Sequence, residues 1–176
     1  MNKKLKRLTL AVMLSALGII IPIIMPKIRI SDAASYTLAS HVPLFIACFI
    51  GYDITILVGL FIGIGFFIST TPVIAVRAFS HLLWAIPLAF ILKKDKEKIF
   101  NLKYNIIICI IVSLFHALFE CLVVIPFYTT KLNLNYIIFS IILPIGLGGF
   151  IHSIIDYIIS IFIYKRLFNN INKVLN

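Results

Sequence analysis

Apolar residues run along this chain in long blocks, cut by short polar or charged breaks; residues 106–112 read Ile-Ile-Ile-Cys-Ile-Ile-Val. Strands of a membrane barrel would alternate polar and apolar positions. Unbroken blocks predict helices instead, and a helix needs about 20 apolar residues to cross the hydrocarbon core. Six such segments stand out, over 8–25, 36–50, 54–69, 73–92, 104–128 and 136–164. Between them lie a polar stretch at 27–35, a tight turn at 51–53, the breaker Thr70-Thr71-Pro72, a charged loop at 93–103 and a polar link up to Asn135. The pattern predicts an all-α integral membrane protein of about six transmembrane helices. No repeat or second domain interrupts residues 1–176, so a single transmembrane domain is expected.

Composition agrees. The chain is 62% hydrophobic and 12% charged, whereas a soluble domain carries about 25% charge. Its net charge of +10 would suit nucleic acid if the basic residues were clustered, but they flank the apolar blocks. With the N-terminus inside, cytoplasmic segments hold Lys3, Lys4, Lys6 and Arg7, five lysines in 93–103, and Lys165, Arg166 and Lys173, twelve in all. Outer segments hold only Lys27, Arg29 and Lys131. This asymmetry places both termini in the cytoplasm and sets cations beside anionic lipid. No nucleic-acid partner is expected; the bilayer is, in a bacterial plasma membrane. The basic head followed by an apolar run resembles a signal peptide, but Pro22 and Pro26 interrupt it and no small-residue cleavage site follows. It reads as a retained first helix. Cys48, Cys109 and Cys121 lie inside apolar runs without metal-type spacing, as small buried side chains do.

Arg77 is the basic residue left inside a membrane segment. Ionisable groups at membrane depth are costly and tend to mark function, and here they recur in pairs four apart: Arg77 and His81, His116 and Glu120, His152 and Asp156. Each pair shares a helix face. Thr37, Ser40 and His41 make a similar stripe on the second segment, and Trp84 lies one turn beyond His81. If these faces converge they line one polar pocket. A buried guanidinium needs an anion, from Glu120, Asp156 or a substrate carboxylate, and an aromatic beside it suits a flat ring bearing a carboxylate. The plainer alternative is that each histidine bonds only its own neighbours. A metal site is not expected, for want of a motif such as His-Glu-x-x-His, nor is catalysis, since no nucleophile elbow or paired-acid motif is present. Gly59 and Gly63, Ala11 and Ser15, and the group Gly146, Gly148 and Gly149 are small-residue sets of the kind that let helices approach closely.

Two stretches carry a family resemblance over nearly the whole chain: Ala34-Ser35-Tyr36-Thr37-Leu38-Ala39-Ser40-His41-Val42-Pro43 and Pro72-Val73-Ile74-Ala75-Val76-Arg77-Ala78-Phe79-Ser80-His81. Together with the basic head, small residues in the first helix and polar outer loop, they resemble the substrate-binding S component of energy-coupling factor (ECF) vitamin transporters, niacin branch. The resemblance implies a membrane subunit that binds nicotinate tightly near the outer face under the 27–35 loop. Arg77 would pair with the carboxylate, His81 would bond the carboxylate or ring nitrogen, and Trp84 would stack on or wall the ring. Thr37, Ser40 and His41 would add polar contacts, with His116, Glu120, His152 and Asp156 orienting them or balancing charge. Such a subunit carries no cofactor. It docks, through small residues at Ala11 and Ser15, on one membrane coupling protein and two ATP-binding proteins that hydrolyse ATP. No Gly-x-x-x-x-Gly-Lys-Ser/Thr run occurs in this chain, in keeping with that division of labour. Nickel and cobalt members carry a histidine near the N-terminus, and none precedes His41. The alternatives are an S component for a queuosine precursor or pyridoxine-type compound, a stand-alone secondary or metal transporter using the histidine pairs, and an intramembrane enzyme.

Overall fold

A computed structural model describes residues 2–30, 34–94, 96–131 and 133–175. Helix α1 spans Lys3–Ile24 and leads into an antiparallel hairpin, β1 Lys27–Arg29 and β2 Ser35–Thr37. Then follow α2 (Val42–Ile50), α3 (Tyr52–Ser69), α4 (Pro72–Lys94) and α5 (Leu102–Val124). The last pass starts at α6 (Leu134–Tyr136), winds through a π-helical stretch at Ile137–Leu147 and continues as α7 (Gly148–Leu175). Local chemistry sets several boundaries. Asn2, Asn101 and Asn133 each accept a backbone N–H of the turn they open, the usual N-cap role. Pro72 starts α4, where a missing N–H costs nothing.

Five passes are long and apolar enough to cross a membrane: Lys3–Ile24, Tyr52–Ser69, Pro72–Lys94, Leu102–Tyr128 and Leu134–Ile171. This is a multi-pass cell-membrane protein. The second segment departs from expectation. The helix predicted over 36–50 is confined to the nine residues of α2, about 14 Å long against a hydrocarbon core of about 30 Å. Tyr36 and Thr37 belong to β2, paired with Ile28 and Lys27. Two features stop the helix from running backwards. Pro43 has no N–H to bond to residue 39, and Ala39 adopts a left-handed backbone with φ 67°. The turn expected at 51–53 is also tighter, since Tyr52 and Asp53 already belong to α3.

All nine residues of α2 are buried, enclosed by α1, α3, α4 and α7. The lipid side is apolar, with Phe67, Ile68, Leu114, Phe139 and Phe162 outward. The small residues do bring helices together. A Cβ on Gly59 would meet Leu82 at 2.3 Å and one on Gly63 the Phe79 ring at 2.5 Å, so α3 and α4 touch through these glycines. Ala11 and Ser15 correct the docking expectation. Both are buried, at 0% and 4% exposure, and the Ser15 hydroxyl donates to the Ala11 carbonyl at 2.7 Å. They face the interior because α1 packs on α2 and α3 along this side, leaving Val12, Met13 and Ala16 outward.

Gly63→Val forces α3 off the Phe79 ring. It is expected to cost about 1–3 kcal/mol, the usual penalty of overpacking, read as a lower unfolding midpoint in detergent. An unchanged midpoint would mean that the α3–α4 contact is looser than described.

Candidate functional site

The break before α2 brings non-helical backbone to the level of His81 and His116, which sit in the middle of α4 and α5. At such depth unpaired amides are expensive unless protein groups satisfy them. Asp156, fully buried on α7, supplies the partner. Its Oδ1 accepts the Ala39 N–H at 2.8 Å and its Oδ2 the His41 N–H at 2.9 Å. Oδ2 also lies 3.1 Å from His41 Nδ1. One carboxylate thus caps α2 and fixes the His41 ring. That ring lies at the centre of a histidine cluster, its centroid 4.7 Å from His81, 4.6 Å from His116 and 4.9 Å from His152.

A second buried carboxylate, Glu120 on α5, organises the other half. Oε2 accepts from Arg77 Nη2 at 2.9 Å; Oε1 lies 3.0 Å from His81 Nε2 and 3.4 Å from His116 Nε2. The two histidine Nε2 atoms are 3.2 Å apart. The glycines at the start of α7 make room for this. A Cβ on Gly149 would stand 3.1 Å from Glu120 Oε2, and one on Gly148 would stand 2.9 Å from the Tyr36 ring. Tyr36 donates its hydroxyl to the Pro144 carbonyl, with the Ile145 carbonyl 3.4 Å away. These acceptors lie near the C-terminal end of the π-wound stretch.

Above the two carboxylates is a cavity of about 100 Å³, small beside the roughly 300–1,000 Å³ of drug-sized sites. It lies at the hairpin end of the bundle, the outer end when the N-terminus is cytoplasmic. Thr37, Ser40, His41, Arg77, His81, Glu120 and His152 all line it, joined by the apolar wall of Leu44, Ile62, Phe66 and Ile74. Ser40 Oγ and His152 Nε2 are 3.0 Å apart. Three expected contacts are not at the wall. Asp156 and His116 stand behind His41 and His81. Trp84 is buried below them, its ring 4.8 Å from Phe45 and 5.6 Å from His116, so it cannot stack on an occupant. The spacing from His81 gave the right helix face but the wrong depth.

Tyr36, Phe66 and Lys27 line the cavity without having been singled out from sequence. Tyr36 stands inside one of the two characteristic stretches, four positions before Ser40, so the helical spacing that marked the other pairs could have found it. Its ring lies under Arg77, 6.0 Å from centroid to Cζ. Phe66 is indistinguishable by sequence from the lipid-facing aromatics around it. Among the described residues, two sets of donors converge to within 4.8 Å: His41, His81, His116 and Glu120, and His41, His152 and Asp156.

The chain is 40% identical over 157 residues to the niacin transporter NiaX of Lactococcus lactis subsp. cremoris, covering 88% of this chain and 71% of that protein. No protein-family model matches the chain, and no solved structure does.

Glu120 neutralises Arg77 in a buried setting. Removing one member of such a pair strands a charge and typically costs about 3–5 kcal/mol, whereas replacing both by apolar groups is often neutral. Glu120→Met is therefore expected to lower the unfolding midpoint sharply, and Arg77→Met with Glu120→Met to restore most of it. Equal midpoints for Glu120→Met and wild type would show that the pair is not desolvated.

Proposed function

The chain belongs to the family of the niacin transporter NiaX, the niacin branch of the ECF S components, and from that premise we propose that it is the nicotinate-binding subunit of an ATP-driven uptake system. The observation that carries the reading is Arg77: only 7% exposed, at the wall of a small cavity, beside imidazoles and over the Tyr36 ring. Nicotinate is one flat ring with one carboxylate. The guanidinium fork has five N–H donors, so it serves Glu120 and a substrate carboxylate together, in the bidentate manner arginine favours. His81 and Ser40 supply polar contacts to the carboxylate edge and ring nitrogen. Leu44, Ile62 and Phe66 take the role first expected of Trp84, walling the ring. Asp156 and His116 act through His41 and His81.

The β1–β2 hairpin stands at the mouth with Lys27, a cation that favours an anionic solute. Binding here calls for no bond-making chemistry and no cofactor. Transport energy is left to ATP-binding partners joined through a membrane coupling protein. The docking face for that protein is the outward side of α1, at Val12, Met13 and Ala16, since Ala11 and Ser15 face the interior.

Calorimetric titration of the purified chain tests the reading. Nicotinate is expected to bind tightly and nicotinamide about ten- to hundred-fold more weakly, the loss of a charge-assisted hydrogen bond worth about 1.5–3 kcal/mol. Arg77→Lys keeps the charge opposite Glu120 but not the fork. It is expected to weaken nicotinate by the same order with little change in unfolding midpoint, and wild-type affinity would remove Arg77 from the site. Tight binding of another vitamin in place of nicotinate would keep the binding-subunit reading and discard the substrate. For the partners, nicotinate uptake by cells is expected to cease when their ATP-binding subunits are inactivated; uptake that persists would favour a stand-alone transporter.

A further inference from the structure

We propose that the floor of the cavity holds a divalent transition-metal ion of the zinc class, bound by His81 Nε2, His116 Nε2 and Glu120 Oε1, with His41 as the fourth protein donor. The three first atoms form a triangle with edges of 3.0, 3.2 and 3.4 Å. A tetrahedral zinc with arms of about 2.0–2.1 Å spaces its donors about 3.3 Å apart. The donors thus stand at coordination spacing in a buried place where three helix positions must hold them.

Hydrogen bonding alone leaves this triangle incomplete. A neutral imidazole carries one proton on one of its two nitrogens, and a carboxylate oxygen brings none. At most two protons are available for three edges. If both point at Glu120, nothing lies between the two histidines; if one lies between them, an edge to Glu120 is empty. A cation at the centre satisfies all three lone pairs at once. His116 contributes through Nε2 alone. It is fully buried, and its Nδ1 has no hydrogen-bond partner among the described residues. All its polar contacts are therefore made through the nitrogen that faces His81 and Glu120.

His41 completes the set in a recognisable manner. Its Nδ1 is tied to Asp156, and a ring nitrogen lies within 4.8 Å of the other three donors. With Nδ1 engaged, Nε2 is the atom left to coordinate. A carboxylate on the far nitrogen is the usual support of a metal-bound imidazole, fixing its tautomer and orientation. The other convergent set, His41, His152 and Asp156, is the weaker candidate. Asp156 already spends its oxygens on two backbone amides. Two imidazoles facing each other across a carboxylate are what borderline metals such as zinc, cobalt and nickel select. The ion would lie behind the vitamin cavity and would add positive charge beneath it. The site shares His81 with the substrate contacts and takes its Nε2, leaving Arg77 and Ser40 to the vitamin; the donor spacing does not depend on which vitamin is bound.

The test uses the full, untagged chain in detergent, stripped with a chelator and dialysed against Zn²⁺ or Co²⁺ alone. The expected result is one ion per chain by elemental analysis, and visible absorption bands of four-coordinate cobalt in the Co²⁺ form. His116→Asn and, separately, Glu120→Gln should each lose the bands and weaken retention by at least tenfold. The thermal transition of each variant reports that it is folded. No stoichiometric metal in the folded wild-type chain, or bands unchanged in both variants, overturns the site. Titration of the stripped and loaded forms with nicotinate separates the two readings. Nicotinate bound by a chain that takes no metal sinks the metal site alone. One metal ion with no nicotinate binding to either form leaves the metal site standing and sinks the vitamin reading.

Discussion

A backbone that leaves the helix inside a membrane has no water to satisfy its amides, and everything at this site follows from how that problem is met. The Asp156 carboxylate receives the Ala39 and His41 N–H groups and so makes it possible for α2 to begin at mid-depth. Because α2 begins there, the strand and turn before it line a cavity. Because the same carboxylate meets His41 Nδ1, the histidine at the helix start is held in one orientation among three others. A helix running the full width would have filled this volume with side chains. Non-helical backbone at membrane depth is tolerated where it is buried in protein or lines a cavity, and here it does both.

The second carboxylate divides its labour differently. Glu120 presents one oxygen to Arg77 and the other to the imidazoles. Charge of both signs is therefore concentrated at the cavity floor, while the wall above is apolar. The room for this group comes from Gly148 and Gly149, which seat Tyr36 and Glu120. Glycines that read as helix-packing residues in the sequence serve here to let side chains from β2 and α5 approach the α7 backbone.

Much of this was legible beforehand. Long apolar blocks have few physical solutions in lipid, so the passes and the flanking charges were readable from period and composition. Pairs four apart placed Arg77 with His81 and His152 with Asp156 on common faces, and those faces do converge. Other features were not local. The stripe at Thr37, Ser40 and His41 named the right residues on a wrong premise, since they line the cavity from a strand and a turn. Pro43 was a local signal of the break, but the left-handed Ala39 and the Asp156 carboxylate that receives the freed amides from more than a hundred residues away were not. Depth along a helix was also hidden: Trp84 shares a face with His81 but lies beneath the cavity, packed on Phe45. For Ala11 and Ser15, small size signalled close approach without saying to which neighbour.

The shortness of α2 has a further meaning. Below His41 the chain is closed by Phe45, Phe49, Tyr157 and Tyr164, with Tyr157 edge to face against both phenylalanines and Tyr164 tilted against Phe49, ring centroids 5.2–5.8 Å apart. Beyond them Arg7 meets Asp53 at 2.5 Å. Among the described residues, the cavity at the hairpin end is therefore closed below. Among those residues, a solute entering from the hairpin end meets this aromatic floor. In this conformation the chain can hold a solute, and passing it to the far side requires the aromatic floor to open.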